Sequence, residues 1–142
     1  TENVPSIVGL GTACIIARRD LNDESARVRT LRNRLWSQLA AAIPGIALNG
    51  HAEDRLPNTL NVRFPRVSGT ALLAATPEIA ASTGSACHAG GETASEVLLA
   101  MAIPAAEALG SVRLTLGRAT TTDVVDRASY ALVGAWRNLT LG

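Results

Sequence analysis

Lysine is absent from this chain. All 13 basic residues among the 142 are arginine. A guanidinium stays protonated and is not a usable amine nucleophile, so any carbonyl cofactor held through an amine must find that amine outside these residues. Cysteine is scarce. Cys14 and Cys87 lie far apart in unlike surroundings, which argues against a disulfide scaffold and for a reducing, cytoplasmic setting. Charge is nearly balanced at a formal +1, and no basic stripe interleaves with aromatics, so nucleic acid is not an expected partner. Apolar stretches are short and broken by Gly, Pro or polar residues, so no membrane span is expected, and no signal-peptide pattern is visible. A structural zinc site needs about four Cys/His ligands at paired spacings. Only Cys14, Cys87, His51 and His88 are available and no C-x-x-C occurs, so no metal is expected.

What remains is an ordinary globular composition, 47% hydrophobic and 18% charged, in a length that buries one core without staples. The opening Thr1-Glu2-Asn3-Val4-Pro5 has no initiator Met and reads as the middle of something longer. Pro5 suits a first helical turn, after which Ile7, Leu10, Cys14 and Ala17 share a helical face, so Cys14 is expected to be inert there. A second helical pattern starts near Asp23. Val28, Leu31, Leu35, Leu39 and Ala42 form its stripe, Arg27, Arg29, Arg32 and Arg34 lie mostly off it, and Pro44-Gly45 ends it. The two patterns predict a long amphipathic hairpin or a kinked pair. Strands are predicted at Ile46–Leu48, Leu60–Phe64 and Ser111–Leu116. Short helices are predicted at Gly69–Ala75 and Ser95–Ala102, and a last helix from Thr122 with Val125, Ala128, Leu132, Ala135 and Leu139 along one side. Without regular βαβ spacing, the mixture predicts an α+β fold: helices on one face of a small, mostly antiparallel sheet.

The segment from Ser82 to Gly91 is the most unusual. Cys87 sits among Gly84, Ser85, Gly90 and Gly91, polar and conformationally permissive company for a thiol that must meet a substrate and then an acceptor. Its reactive form is the thiolate; the alternative is a buried, inert Cys. A phosphatase reading fails because the position six residues on, where an Arg is needed, is Thr93. A Cys/His hydrolase would pair Cys87 with His51. His88 is either a solvated loop residue or a proton-transfer group.

Ser82-Thr83-Gly84-Ser85-Ala86-Cys87 resembles the S-S-G-S-A-C motif of cysteine desulfurases. Ser95-Glu96-Val97-Leu98-Leu99-Ala100-Met101 resembles that family's P-S-x-V-L-x-A-M-G run, and Val112-Arg113-Leu114-Thr115-Leu116-Gly117-Arg118 its V-R-x-S-L-G-R. Thr1 through Gly11 resembles its G-T-E-N-x-P…x-G-L-G segment, and Leu56-Pro57-Asn58-Thr59-Leu60-Asn61 its P-N-x-x-N strand. The matches run in family order over nearly the whole chain.

The resemblance implies the small C-terminal domain of a fold-type-I pyridoxal-phosphate enzyme of the class V aminotransferase group. Residues 1–142 would form that single domain, without the large cofactor domain, and would be inactive in isolation. The whole enzyme would be a homodimer that takes sulfur from L-cysteine, leaving L-alanine and a Cys87 persulfide. A sulfur-acceptor or scaffold protein would then take the sulfur for iron–sulfur cluster assembly or thiolation. In this resemblance Arg113 matches the Arg that holds the substrate carboxylate, for which a guanidinium fork is suited, rather than a strand-edge surface Arg. Thr1 matches a Thr that reaches the neighbouring subunit's cofactor phosphate, and Arg118 is supportive. Ala94 departs from the family's Pro. Ala102 departs from a Gly where positive φ is expected, a departure that costs on the order of 1 kcal/mol. The Cys87-His88 pair also resembles selenocysteine lyases, an alternative substrate class. A stand-alone, non-enzymatic dimerisation or persulfide-carrier module is the other alternative.

Overall fold

A computed structural model describes residues 1–84 and 93–141. The order is α1 (Val4–Ala42), β1 (Ala47–Leu48), β2 (Thr59–Arg63), α2 (Gly69–Ala74), α3 (Glu96–Ala100), α4 (Ala105–Ala108), β3 (Ser111–Thr115) and α5 (Thr122–Leu141). Among the described residues the sheet is antiparallel in the order β1-β2-β3, in keeping with the mostly antiparallel sheet expected from the lack of regular βαβ spacing. Alternation splits it into two faces. Leu60 and Val62 of β2 and Val112 and Leu114 of β3 enter the core with Leu31, Leu35 and Leu39 of α1 and Val125, Leu132 and Trp136 of α5. The opposite face is polar: Thr59, Asn61 and Arg63 stand against Thr115, Arg113 and Ser111.

The predicted pair of helices is instead one continuous α1. Nothing from Thr12 to Ala42 is Gly or Pro, and Arg, Leu and Ala are strong helix formers. The start is set by Asn3, whose side chain accepts the Ser6 N–H at 3.2 Å, and by Pro5 in the first turn. At mid-length, the guanidinium bonds from Arg19 and Arg118 hold the Asp20 carboxyl down at about 2. Arg27 takes Glu24 with two of its nitrogens and donates to the carbonyls of Gly117, Arg118 and Thr120. The loop after β3 is thereby tied to the helix. Further along, Arg34 and Gln38 converge on Asp126 of α5.

Two expectations about α1 are corrected. Ile7, Leu10, Cys14 and Ala17 do share a face, but all are exposed, Cys14 included. Periodicity marks a face and cannot say what covers it. Arg32 is 4% exposed rather than off the stripe. Its guanidinium is satisfied by the Leu56 carbonyl and the Asn33 side chain, which makes such burial tolerable.

One local departure has an energetic consequence. Just past α3, Ala102 stands at φ 61°, its N–H on the Leu99 carbonyl and the Ile103 N–H on the Leu98 carbonyl. This is the paired 5→2 and 6→1 closure that normally takes glycine. A methyl group in that left-handed region costs about 1 kcal/mol. Ala102→Gly is therefore expected to stabilise the fold by about 1 kcal/mol, raising the thermal midpoint by about 3 °C. An unchanged or lowered midpoint would show the strain to be relieved elsewhere. α4, one turn begun by Pro104, is too short for a periodic signal to reveal.

Candidate active-site cleft

Four residues form a row across the polar face of the sheet. Arg113 is the direct cross-strand partner of Asn61. On its other side it exchanges two backbone bonds with Ser82, Arg113 N–H to Ser82 O at 2.7 Å and Ser82 N–H to Arg113 O at 3.3 Å. Beyond Asn61 lies Asn49, whose N–H donates to the Asn61 carbonyl at 2.9 Å. The Ser82 hydroxyl donates to the Gly84 carbonyl at 2.6 Å and accepts its N–H at 3.2 Å, closing a tight turn after the row. Gly69, at the start of α2, lets this turn approach: a Cβ there would lie 2.6 Å from Ser111 O and 2.8 Å from Thr83 Cγ2.

A cleft of about 410 Å³ opens at three of these residues, Asn61, Ser82 and Arg113, and is lined also by Gly84, Thr93 and Glu96. Arg113 is exposed and makes no ion pair among the described residues. Beside the cleft-lining Asn61 the polar side chains bond to one another. Asn49, 9% exposed, accepts from Arg63 Nη1 and donates to Asn61 Oδ1 and to Ser111 Oγ, at 2.5, 2.9 and 3.0 Å. Arg63 also pairs with Glu107 at 3.4 Å.

Of the residues singled out by sequence, Arg113 lines the cleft. Cys87 and His88 lie outside the described residues, although Gly84 and Thr93, which flank their segment, both line the cleft. Thr1 is exposed ahead of α1 and is not among the lining residues. Arg118 pairs with Asp20 away from the cleft lining. His51 caps its own turn, Nδ1 accepting the N–H groups of Glu53 and Asp54. Among the described residues no group of three or more His, Cys, Asp or Glu could hold a metal ion. Sequence reasoning missed the roles of Asn49, Asn61 and Ser82. Asn61 was visible in the P-N-x-x-N strand, but its company depends on cross-strand register.

Arg113, Asn61 and several hydroxyl-bearing residues line the cleft, together with the acidic Glu96. The Arg113 guanidinium suits an anionic carboxylate. The set does not fit covalent capture of an aldehyde, because the chain contains no lysine.

Comparison with known proteins gives the family. A cysteine desulfurase of Gluconacetobacter diazotrophicus is 43% identical over 136 residues, covering 94% of this chain and 34% of that protein. The cysteine desulfurase NifS of Azotobacter vinelandii is 41% identical over 129 residues, covering 89% of this chain and 32% of its own length. A solved NifS-like protein superposes with a TM-score of 0.79 at 30% identity, covering 100% of this chain and 35% of its own. The chain thus spans about a third of the length of the curated relatives it matches. The aminotransferase class-V family profile matches residues 1–128, and the chain belongs to that family.

Proposed function

We propose that this chain is the small C-terminal domain of a pyridoxal-phosphate-dependent cysteine desulfurase that works as a cytoplasmic homodimer. The observation that carries the reading is the placement of Arg113. Arg113 lines a cleft bordered by both described flanks of the Cys87 segment, and its backbone is bonded to Ser82 at the root of that segment.

Arg113 binds the α-carboxylate of L-cysteine through its planar fork. The cofactor, whose anchoring amine lies outside these 142 residues, supplies an electron sink that weakens the Cβ–S bond. The Cys87 thiolate takes the substrate sulfur. Net, L-cysteine and a thiol give L-alanine and a persulfide. One C–S bond breaks, one S–S bond forms, carbon is reduced as sulfur is oxidised, and no external oxidant is consumed. The persulfide passes to an acceptor or scaffold protein for iron–sulfur cluster assembly or thiolation. Thr1 stands at the tip of a helix whose outer half is uncovered among the described residues, which suits contact with a neighbouring subunit's cofactor phosphate. Arg118 and His88 are supporting residues in this scheme.

The test is turnover by the full-length protein. L-Cysteine is expected to yield alanine and a trapped persulfide on Cys87, and the isolated 142-residue chain is expected to retain no pyridoxal phosphate after desalting. Turnover of selenocysteine alone would move the assignment to selenocysteine lyase, and no alanine release from either substrate would remove the reading.

A further inference from the structure

We propose that Asn61 is a second substrate-recognition residue, its amide nitrogen donating to the same α-carboxylate that Arg113 binds. The inference rests on the cysteine desulfurase reading and adds to it a residue and an orientation mechanism.

The argument is one of donors and acceptors. A guanidinium only donates, so the Asn49 atom facing Arg63 must be its Oδ1. That fixes Asn49 with its nitrogen toward Asn61 and Ser111, and both of its protons are then used. Asn61 must in turn present Oδ1 to Asn49. Its Nδ2 is left over, with no partner among the described residues. Asn61 lines the cleft directly across the strand pair from Arg113, where facing side chains sit about 5 Å apart at Cβ. The relay from Arg63 through Asn49 therefore aims a donor, never an acceptor, at the space where Arg113 receives an anion. An oppositely turned Asn61 would oppose a lone pair to the carboxylate. The network beside Asn61 makes that state expensive, because it would leave Asn49 or Arg63 unpaired.

Two substitutions separate recognition from scaffolding. Asn61→Asp keeps the shape and the acceptor for Asn49 but replaces the donor with a negative charge. Asn49→Asp keeps the acceptor for Arg63 but removes the donor to Asn61, so Asn61 turns its nitrogen inward and its oxygen to the cleft. In the full-length protein, Asn61→Asp is expected to raise KM for L-cysteine by about 30-fold or more and Asn49→Asp by about 10-fold, with kcat within about threefold. Preference for L-cysteine over its methyl ester should fall in parallel, a readout that a merely structural role would not move. If Asn61→Asp does not fold, Asn49→Asp carries the same test. Wild-type-like KM and ester preference in the folded variants would overturn the role of Asn61 alone. A wild-type protein that releases no alanine from L-cysteine would overturn both this inference and the reading beneath it.

Discussion

Cys87→Ala in the full-length protein is expected to lower alanine release from L-cysteine at least about 10³-fold, the scale on which enzymes lose a nucleophile. Trapped persulfide should vanish, and bound pyridoxal phosphate should remain at one per subunit. The reason lies in the stoichiometry. Sulfur leaving the substrate carbon needs a thiolate to receive it, and Cys14, the only other thiol, is on α1 and is not among the cleft-lining residues. Cofactor retention is the discriminating measurement. Cys87 belongs to a segment joined to the fold at Ser82 and Ser95, and the core is built from α1, α5 and the sheet. That core is complete without Cys87 among the described residues, so the variant is expected to fold. Loss of cofactor together with activity would make Cys87 a structural residue and remove the sulfur-transfer mechanism.

The second large effect is expected at Arg113. Arg113→Ala should raise KM for L-cysteine about 100-fold, equivalent to about 2.7 kcal/mol at 1.36 kcal/mol per decade. Arg113→Lys should recover about tenfold of that loss, since an ammonium keeps the charge but not the two-pronged geometry. The backbone bonds from Arg113 to Ser82 do not depend on the side chain, so the root of the Cys87 segment stays placed in both variants. A fall in kcat with unchanged KM would mean that Arg113 acts on the reaction rather than on binding. Unchanged kinetics would return Arg113 to the status of a surface residue.

Much of the scaffold was legible in the residues. The β2 and β3 alternation gave strands and their buried faces, and the stripes of Val28 to Leu39 and Val125 to Ala135 gave the helical half of the core. The family's glycine position flagged Ala102, and the structure puts it in the left-handed region. What was not legible depended on partners. The spacing of Ile7, Leu10, Cys14 and Ala17 is as regular as that of the buried stripe, yet these residues meet nothing among the described ones. Arg32 looks like a surface residue until the Leu56 carbonyl, 24 positions away, is placed beside it. The cleft divides in the same way. Arg113 stood out in its motif, whereas Asn49 and Asn61 matter through a bond between side chains 12 positions apart and another to Ser111. Only the register of three strands brings those groups together.

The pairing of α1 with α5 also bears on how the polypeptide matures. Arg34 and Asp126 are 92 positions apart, so on a translating ribosome α1 waits roughly 5–20 s for its counterpart. Until then Leu31, Leu35 and Leu39 have no α5 to pack against, and closing so distant a contact is intrinsically slow. This part of the nascent chain therefore presents the Leu31–Leu39 stripe early and covers it late. That order leaves an apolar helical face of the newly synthesised domain open to other hydrophobic surfaces until α5 emerges.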